Sequence, residues 1–282
     1  MFLVREGVDL CNNSVQLPCW IDTFIFDQLG GTFHKNNDDM TVIDWGPKEI
    51  RNYLGTYFPR SYAESYCIFR QVLTDTKIFI NKKKLSILDF GCGTGGELFG
   101  FASALAEMRP KIESIKVKAI DGNQYALNRF DDIREEFNKI HTLHIKSNPS
   151  AIYIEDFYDL NILDSIIDKD YDVILSFKAV CEFVTKQQFE EKNAYEYLLN
   201  FMIPRLSENG IMLLVDVSTK NSVSKEWLPD MMDKGLAASE ASIIARNQGY
   251  NESFIVSHTR QRSDVSKIAW RLICKNGTKN KE

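Results

Sequence analysis

The sequence predicts an α/β fold, with a mostly parallel sheet covered by helices on both faces. Three observations predict it. From Lys84 onward, short and nearly continuous apolar strands alternate with helical segments, the pattern of strands buried on both sides. One of these strands runs directly into a glycine-rich turn, Gly91-Cys92-Gly93-Thr94-Gly95-Gly96, that opens a helix. The last two strands leave no room for a helix between them, so they must pair as a hairpin, with one edge strand antiparallel.

Residues 1–45 are irregular, with turn signals at Gly30-Gly31 and Asn36-Asn37-Asp38-Asp39. Residues 47–79 are helix-compatible and aromatic; Tyr53, Tyr57, Phe58, Tyr62, Tyr66 and Phe69 include several spaced three or four apart. Pro59 is expected to break this stretch into two helices. Strands are expected at 85–90, 115–120, 151–154, 171–177, 211–217, 253–258 and 267–274. Helices are expected at 97–108, 124–140, 187–203 and 230–247. The chain divides accordingly into an N-terminal cap over 1–80, a core over 81–276 and a disordered tail over 277–282.

Bulk composition narrows the class. The 282 residues are 44% hydrophobic and 26% charged, ordinary for a globular protein. No apolar run reaches the length of a membrane span, and the N-terminus lacks a signal-peptide pattern, so the expected location is cytoplasmic, with no membrane partner. Six irregularly spaced cysteines without CxxC pairs read as reduced thiols. His141 and His144 have no third ligand nearby, so no metal site is expected. The net charge is −5, but residues 256–282 carry seven Lys or Arg against Asp264 and Glu282. That segment reads as a solvated tail or as a basic edge for a phosphate backbone.

The glycine turn carries the chemistry. Its glycines allow a tight turn and close approach to a ligand, and the helix beyond presents free N–H groups. Asp89 sits just ahead of Gly91, and the next strand also ends in an acid, Asp121. An acid there can accept hydrogen bonds from ribose hydroxyls.

An acid followed by Gly91-x-Gly93-x-Gly95 resembles the first motif of the class I S-adenosylmethionine-dependent methyltransferases; nucleotide dehydrogenases place the last glycine one residue later. The resemblance covers residues 85–274. It implies a Rossmann-like, seven-stranded sheet whose last strand inserts antiparallel, with S-adenosylmethionine as cofactor and S-adenosylhomocysteine as product. By the same resemblance, Asp89 orients the methionine amino group. Gly91 and Gly93 line the methionine part, with Gly95 completing the loop. Asp121 grips the ribose, with Gly122 beside it. Asp156 and Phe157 meet the adenine, and Ser176-Phe177-Lys178 form the floor beside the reactive methyl. A shorter resemblance, at Arg60-Ser61-Tyr62-Ala63, Ser176 to Glu182 and Val256 to Asp264, is to the ribosomal small-subunit-associated methyltransferase-like family. That family carries iron–sulfur cysteines, which this chain lacks near its C-terminus.

Methyl transfer needs alignment and exclusion of water, and a base only where the nucleophile holds a proton. No [DN]-P-P-[FYW] motif and no core Pro-Cys or Thr-Cys pair is present, unlike the usual adenine-N6, cytosine-N4 and 5-methylcytosine enzymes. Glu182 is the candidate base. Arg60 and Tyr62 are expected near the cofactor in an N-terminal lid, and Lys178, Arg260 and Arg262 are further substrate candidates. Three readings stand, with the lean to the first: an RNA methyltransferase, favoured by the basic C-terminal hairpin; a small-molecule or protein side-chain methyltransferase, favoured by overall acidity and the aromatic cap; and a cofactor-binding protein without turnover. Oligomeric state is left open.

Overall fold

The computed structural model describes residues 13–34, 45–168, 170–183, 192–221, 224–246 and 250–275. The tail over 277–282 lies outside them.

The sheet grows outward from β2 (Lys84–Phe90). On one side lie β3 (Ser114–Asp121) and the edge strand β4 (His144–Ser147), with the two-residue β5 (Ser150–Ala151) also on β3. On the other side come β6 (Tyr171–Phe177), β7 (Leu206–Val217), β10 (Gln261–Lys275), β9 (Glu252–His258) and β1 (Ser14–Gln16). A further strand, β8 (Ala241–Arg246), pairs with the end of β10. Every pairing not involving β10 is parallel, whereas β10 is antiparallel to β7, β8 and β9. The reversed strand is therefore interior, not an edge, and among the described residues the sheet has ten strands where seven were expected. Parallel β2 and β6 are buried along nearly their whole length, which explains their unbroken apolar sequences.

The helices are α1 (Cys19–Thr23), continued by a π-turn over Phe24–Gln28, α2 (Pro47–Asp75), α3 (Gly96–Met108), α4 (Gln124–Ile140), α5 (Ala179–Phe183), α6 (Ala194–Met202) and α7 (Leu228–Ala238). Asn123 caps α4, its side chain accepting from the N–H groups of Tyr125 and Ala126 at 2.9 and 3.1 Å.

Three expectations need correction. Pro59 does not split its helix: α2 runs unbroken through it. The proline removes one backbone bond, but Leu54, Phe58, Tyr62, Phe69 and Leu73 on both sides of it are buried in one core, and tertiary packing outweighs the local defect. The outer strand is 144–147, with only Ser150–Ala151 beyond it, rather than 151–154. The Asn138 side chain donates to the Ile145 carbonyl at 2.8 Å and accepts from its N–H at 2.7 Å, so α4 clamps β4. The helix expected over 230–247 stops at Ala238, and 241–246 joins the sheet. Leu17, Ile25 and much of α2 share one apolar cluster with β2, β3 and β10.

The α2–α3 contact depends on two glycines. A Cβ at Gly96 would lie 2.6 Å from the Phe58 carbonyl oxygen, and one at Gly100 would lie 2.3 Å from that of Tyr62. Backbone cannot yield as a side-chain tip can, so Gly100→Ala is expected to destabilise the protein by about 1–3 kcal/mol. Urea denaturation checks this; an unchanged midpoint would mean that α2 is free to move away.

Among the described residues, no helix is long and apolar enough to cross a membrane, and the five cysteines are unbridged.

Candidate functional site

Register brings the site together. Phe90 at the end of β2 pairs with Ile120 of β3 on one side and Ser176 of β6 on the other. The carboxyl ends of the three central strands are thus level, and the chain leaves β2 toward α3 and β3 toward α4. Open α/β sheets place ligands in this crevice.

The glycine loop fills its centre. Gly91, Gly93 and Gly95 all have left-handed φ values, 70°, 48° and 82°, which side-chain-bearing residues rarely adopt. A Cβ at Gly93 would meet the Tyr53 hydroxyl at 2.6 Å. The close neighbour of this glycine is therefore the N-terminal part of α2. Trp45 and Tyr53 pack with Ile50 and Ala126, and the Trp45 carbonyl accepts from the Asn123 side chain at 2.9 Å. Tyr53 flanks the loop, and the rings of Trp45 and Tyr57 pack on it at 5.9 and 5.4 Å.

Asp89 is fully buried. Apart from the Glu97 carboxyl at the start of α3, neither of its oxygens has a hydrogen-bond partner among the described residues. Burial first, and the Asp121 charge second, push its pKa up to about 8. Glu97 is raised as well, by burial and then by Asp89. Asp121 is also buried and raised by burial, but it has donors: Gly93 N–H gives to one oxygen and Asn123 N–H to the other, each at 2.8 Å. It ties the glycine loop to the start of α4, with lone pairs left for a hydroxyl donor. Gly122 lies in the bend between Asp121 and Asn123. The buried hydroxyls of Thr94 and Ser176 have no hydrogen-bond partner among the described residues. Buried polar groups are normally satisfied, so Asp89, Thr94 and Ser176 together mark where a polar ligand fits.

Lys178 follows β6 with a left-handed φ of 56°, a strained conformation for a non-glycine residue. Its ammonium is held between both oxygens of the buried Glu64 on α2, at 2.9 and 2.7 Å. Asp216, at the end of β7, accepts from the Tyr195 hydroxyl at 2.8 Å and from the Cys181 N–H at 3.3 Å, which anchors α5. Glu182 belongs to α5, but its side chain lies outside the described residues. Asp156 is exposed and accepts from the Tyr158 N–H at 2.8 Å. The Phe157 side chain is buried in the second apolar cluster, which leaves its backbone, rather than its ring face, for a ligand.

The lid residues do not take the expected places. Tyr62 is buried in the α2–α3 contact between Phe58 and Tyr66, because unbroken α2 turns that face onto α3. Arg60 makes a two-pronged ion pair with Asp264 of β10, both bonds at 2.8 Å, and staples the helix to the sheet. Arg260 lies in the β9–β10 turn and pairs with Asp27 at 2.8 Å. Arg260 and Arg262 are on the carboxyl edge of the sheet, but β10 is three strands from β2, roughly 14 Å away at ordinary strand spacing.

Trp45, Tyr53, Glu64, Thr94, Glu97 and Asp216 were not singled out from sequence. Thr94 and Glu97 lie within or beside the glycine motif, so that motif could have flagged them. The others are isolated residues on segments whose approach is set by tertiary packing.

No protein-family model matches this sequence, and no characterised protein matches it by sequence. Solved structures do resemble it in fold. The plantazolicin methyltransferase BpumL, in complex with S-adenosylhomocysteine, is 17% identical with a TM-score of 0.49, covering 91% of this chain and 94% of that one. The trans-methyltransferase CalH, also with S-adenosylhomocysteine, is 12% identical with a TM-score of 0.47, covering 83% and 61%. PH1948 of Pyrococcus horikoshii, provisionally named an RNA methyltransferase, is 11% identical with a TM-score of 0.45, covering 92% and 98%.

Proposed function

We propose that this protein is an S-adenosylmethionine-dependent methyltransferase. The observation that carries the reading is Asp89: a buried carboxylate without a cationic partner, at the carboxyl end of the central strand and directly before a left-handed glycine loop. Such a group is costly unless a cation reaches it, and the methionine ammonium of the cofactor supplies one. Asp121 would accept from the ribose hydroxyls, Ser176 and Thr94 would offer hydroxyls to the cofactor, and Asp156 with the Phe157 backbone would hold the adenine. When bound, the cofactor supplies an electrophilic methyl group; the protein has to align the acceptor and exclude water. Glu182 on α5 is the base for an acceptor that must lose a proton.

The acceptor we infer is a small molecule or a protein side chain. The aromatic cluster of Trp45, Tyr53 and Tyr57 fits a modest acceptor closed over by α2. The RNA reading keeps exposed Arg262 and Lys267, but loses strength because Arg60 and Arg260 are engaged with Asp264 and Asp27. Incubation with methyl-labelled cofactor and fractionated cell extract, with and without ribonuclease, tests both. Label in the small-molecule or protein fraction is expected. Ribonuclease-sensitive label would establish RNA, and cofactor binding with no label in any fraction would establish binding without turnover.

A further inference from the structure

The crevice carries more acid than the protein neutralises. Charged and titratable groups surround Asp89 and Glu97: Asp121 from β3, Cys92 from the glycine loop, and, acting on Glu97, Lys178 from the end of β6 with Glu64 of α2 behind it. Lys178 is the one cation in this set, and Glu64 already holds it with both oxygens. Asp121 is compensated by two backbone N–H groups. Asp89 has no such compensation, and Glu97 has its own backbone N–H and the charge of Lys178, which Glu64 already holds. Two neighbouring carboxyls in a buried, low-dielectric site cannot both stay ionised, so the pair keeps a proton. Their raised proton affinities agree with this. The buried hydroxyls of Thr94 and Ser176, at the same edge, are likewise without hydrogen-bond partners among the described residues.

Taking this crevice as the cofactor site, on which the idea depends, we propose that the Asp89–Glu97 pair holds a proton in place of the ligand's positive charge, and that the ammonium of the cofactor's methionine moiety displaces it. The O–H bond of the pair breaks and the proton leaves to solvent. The ligand keeps all its bonds, and a carboxylate–ammonium pair replaces the neutral carboxyl, so the charge of the pair with its bound cation is unchanged. Glu97 is then a positioning residue that acts through Asp89. Binding and proton release become a single event, and affinity rises with pH until the pair is ionised without help.

The test is calorimetric titration of the full chain with S-adenosylhomocysteine, which carries the ammonium and has no methyl group to transfer. Titrations at pH 7 in two buffers of different ionisation heat count the protons, and a series from pH 6 to 8.5 gives the affinities. The expected result is release approaching one proton per site, with affinity rising up to about tenfold per pH unit below pH 8. The double variant Asp89→Asn/Glu97→Gln mimics the protonated pair. Its affinity should be flat with pH and no tighter than that of the unaltered protein at pH 6. Tight binding without proton release, or a pH slope that survives the double substitution, overturns the proton-holding pair and leaves the cofactor reading intact. Absence of binding at every pH overturns both.

Discussion

Asp89→Asn is expected to weaken cofactor binding by at least about 100-fold at pH 8, the scale on which a buried charged pair that loses one partner is disrupted, while making the ligand-free protein more stable. The two effects share a cause. The folded-state pKa of Asp89 is raised from 3.8 to about 8, so folding must either protonate this carboxyl or bury its charge. For an acid raised in this way the cost is absent below about pH 4, grows as pH climbs through the window between the two values, and levels off above pH 8. At 1.36 kcal/mol per unit, the upper bound is ~6 kcal/mol. Asparagine fills the same space without the charge. Urea denaturation at pH 4.5 and pH 8 should therefore give similar stabilities for the two proteins at the lower pH and a more stable Asn variant at the higher one. Unchanged cofactor affinity in this variant would remove the basis of the proposed function.

The second large effect is expected at Glu64. Its carboxylate is fully buried and holds Lys178 with both oxygens. Glu64→Ala leaves an ammonium buried with no partner, a defect that costs about 3–5 kcal/mol. Removing both charges, as Glu64→Leu/Lys178→Met, should recover most of that loss, because two apolar residues of similar volume need no mutual compensation. Equilibrium denaturation of the single and double variants checks this. Equal destabilisation in both would show that packing, not charge, governs the position. The double variant also reports on function. If Lys178 serves only to join α2 to the end of β6, cofactor binding should survive wherever the fold does.

Local sequence was a good guide where one element decides its own conformation. Residues 124–140 and 171–177 are helix and strand as their patterns indicate, and the alternation from Lys84 onward gives the parallel sheet. The glycine loop was legible because three left-handed residues in close succession leave little choice of amino acid. Failures occurred where packing overrides local preference. The aromatic spacing in α2 was visible, but not which neighbour each ring would face; Tyr62 went to the α3 contact and Tyr53 to the glycine loop. Arg60 was expected near the cofactor, and its ion pair was not legible because its partner, Asp264, is 204 residues away in sequence. The polar segment 144–147 gave no strand signal of its own, and becomes a strand because Asn138 and β3 satisfy its backbone.

By itself, the sequence determined the class of fold, the order of the central strands' chemistry and the placement of an acid–glycine loop at the end of one of them. These depend on short-range periodicity and on the left-handed backbone that glycine permits, both of which are written in neighbouring residues. Only the tertiary structure decided that α2 is unbroken, that β10 lies inside the sheet, and that Asp89 and Glu97 face one another without a cation while Glu64 takes the nearby lysine. Those outcomes depend on which distant groups share a buried volume. In such a volume the cost of an unpaired charge or an unsatisfied backbone group is set by the surroundings rather than by the residue that carries it.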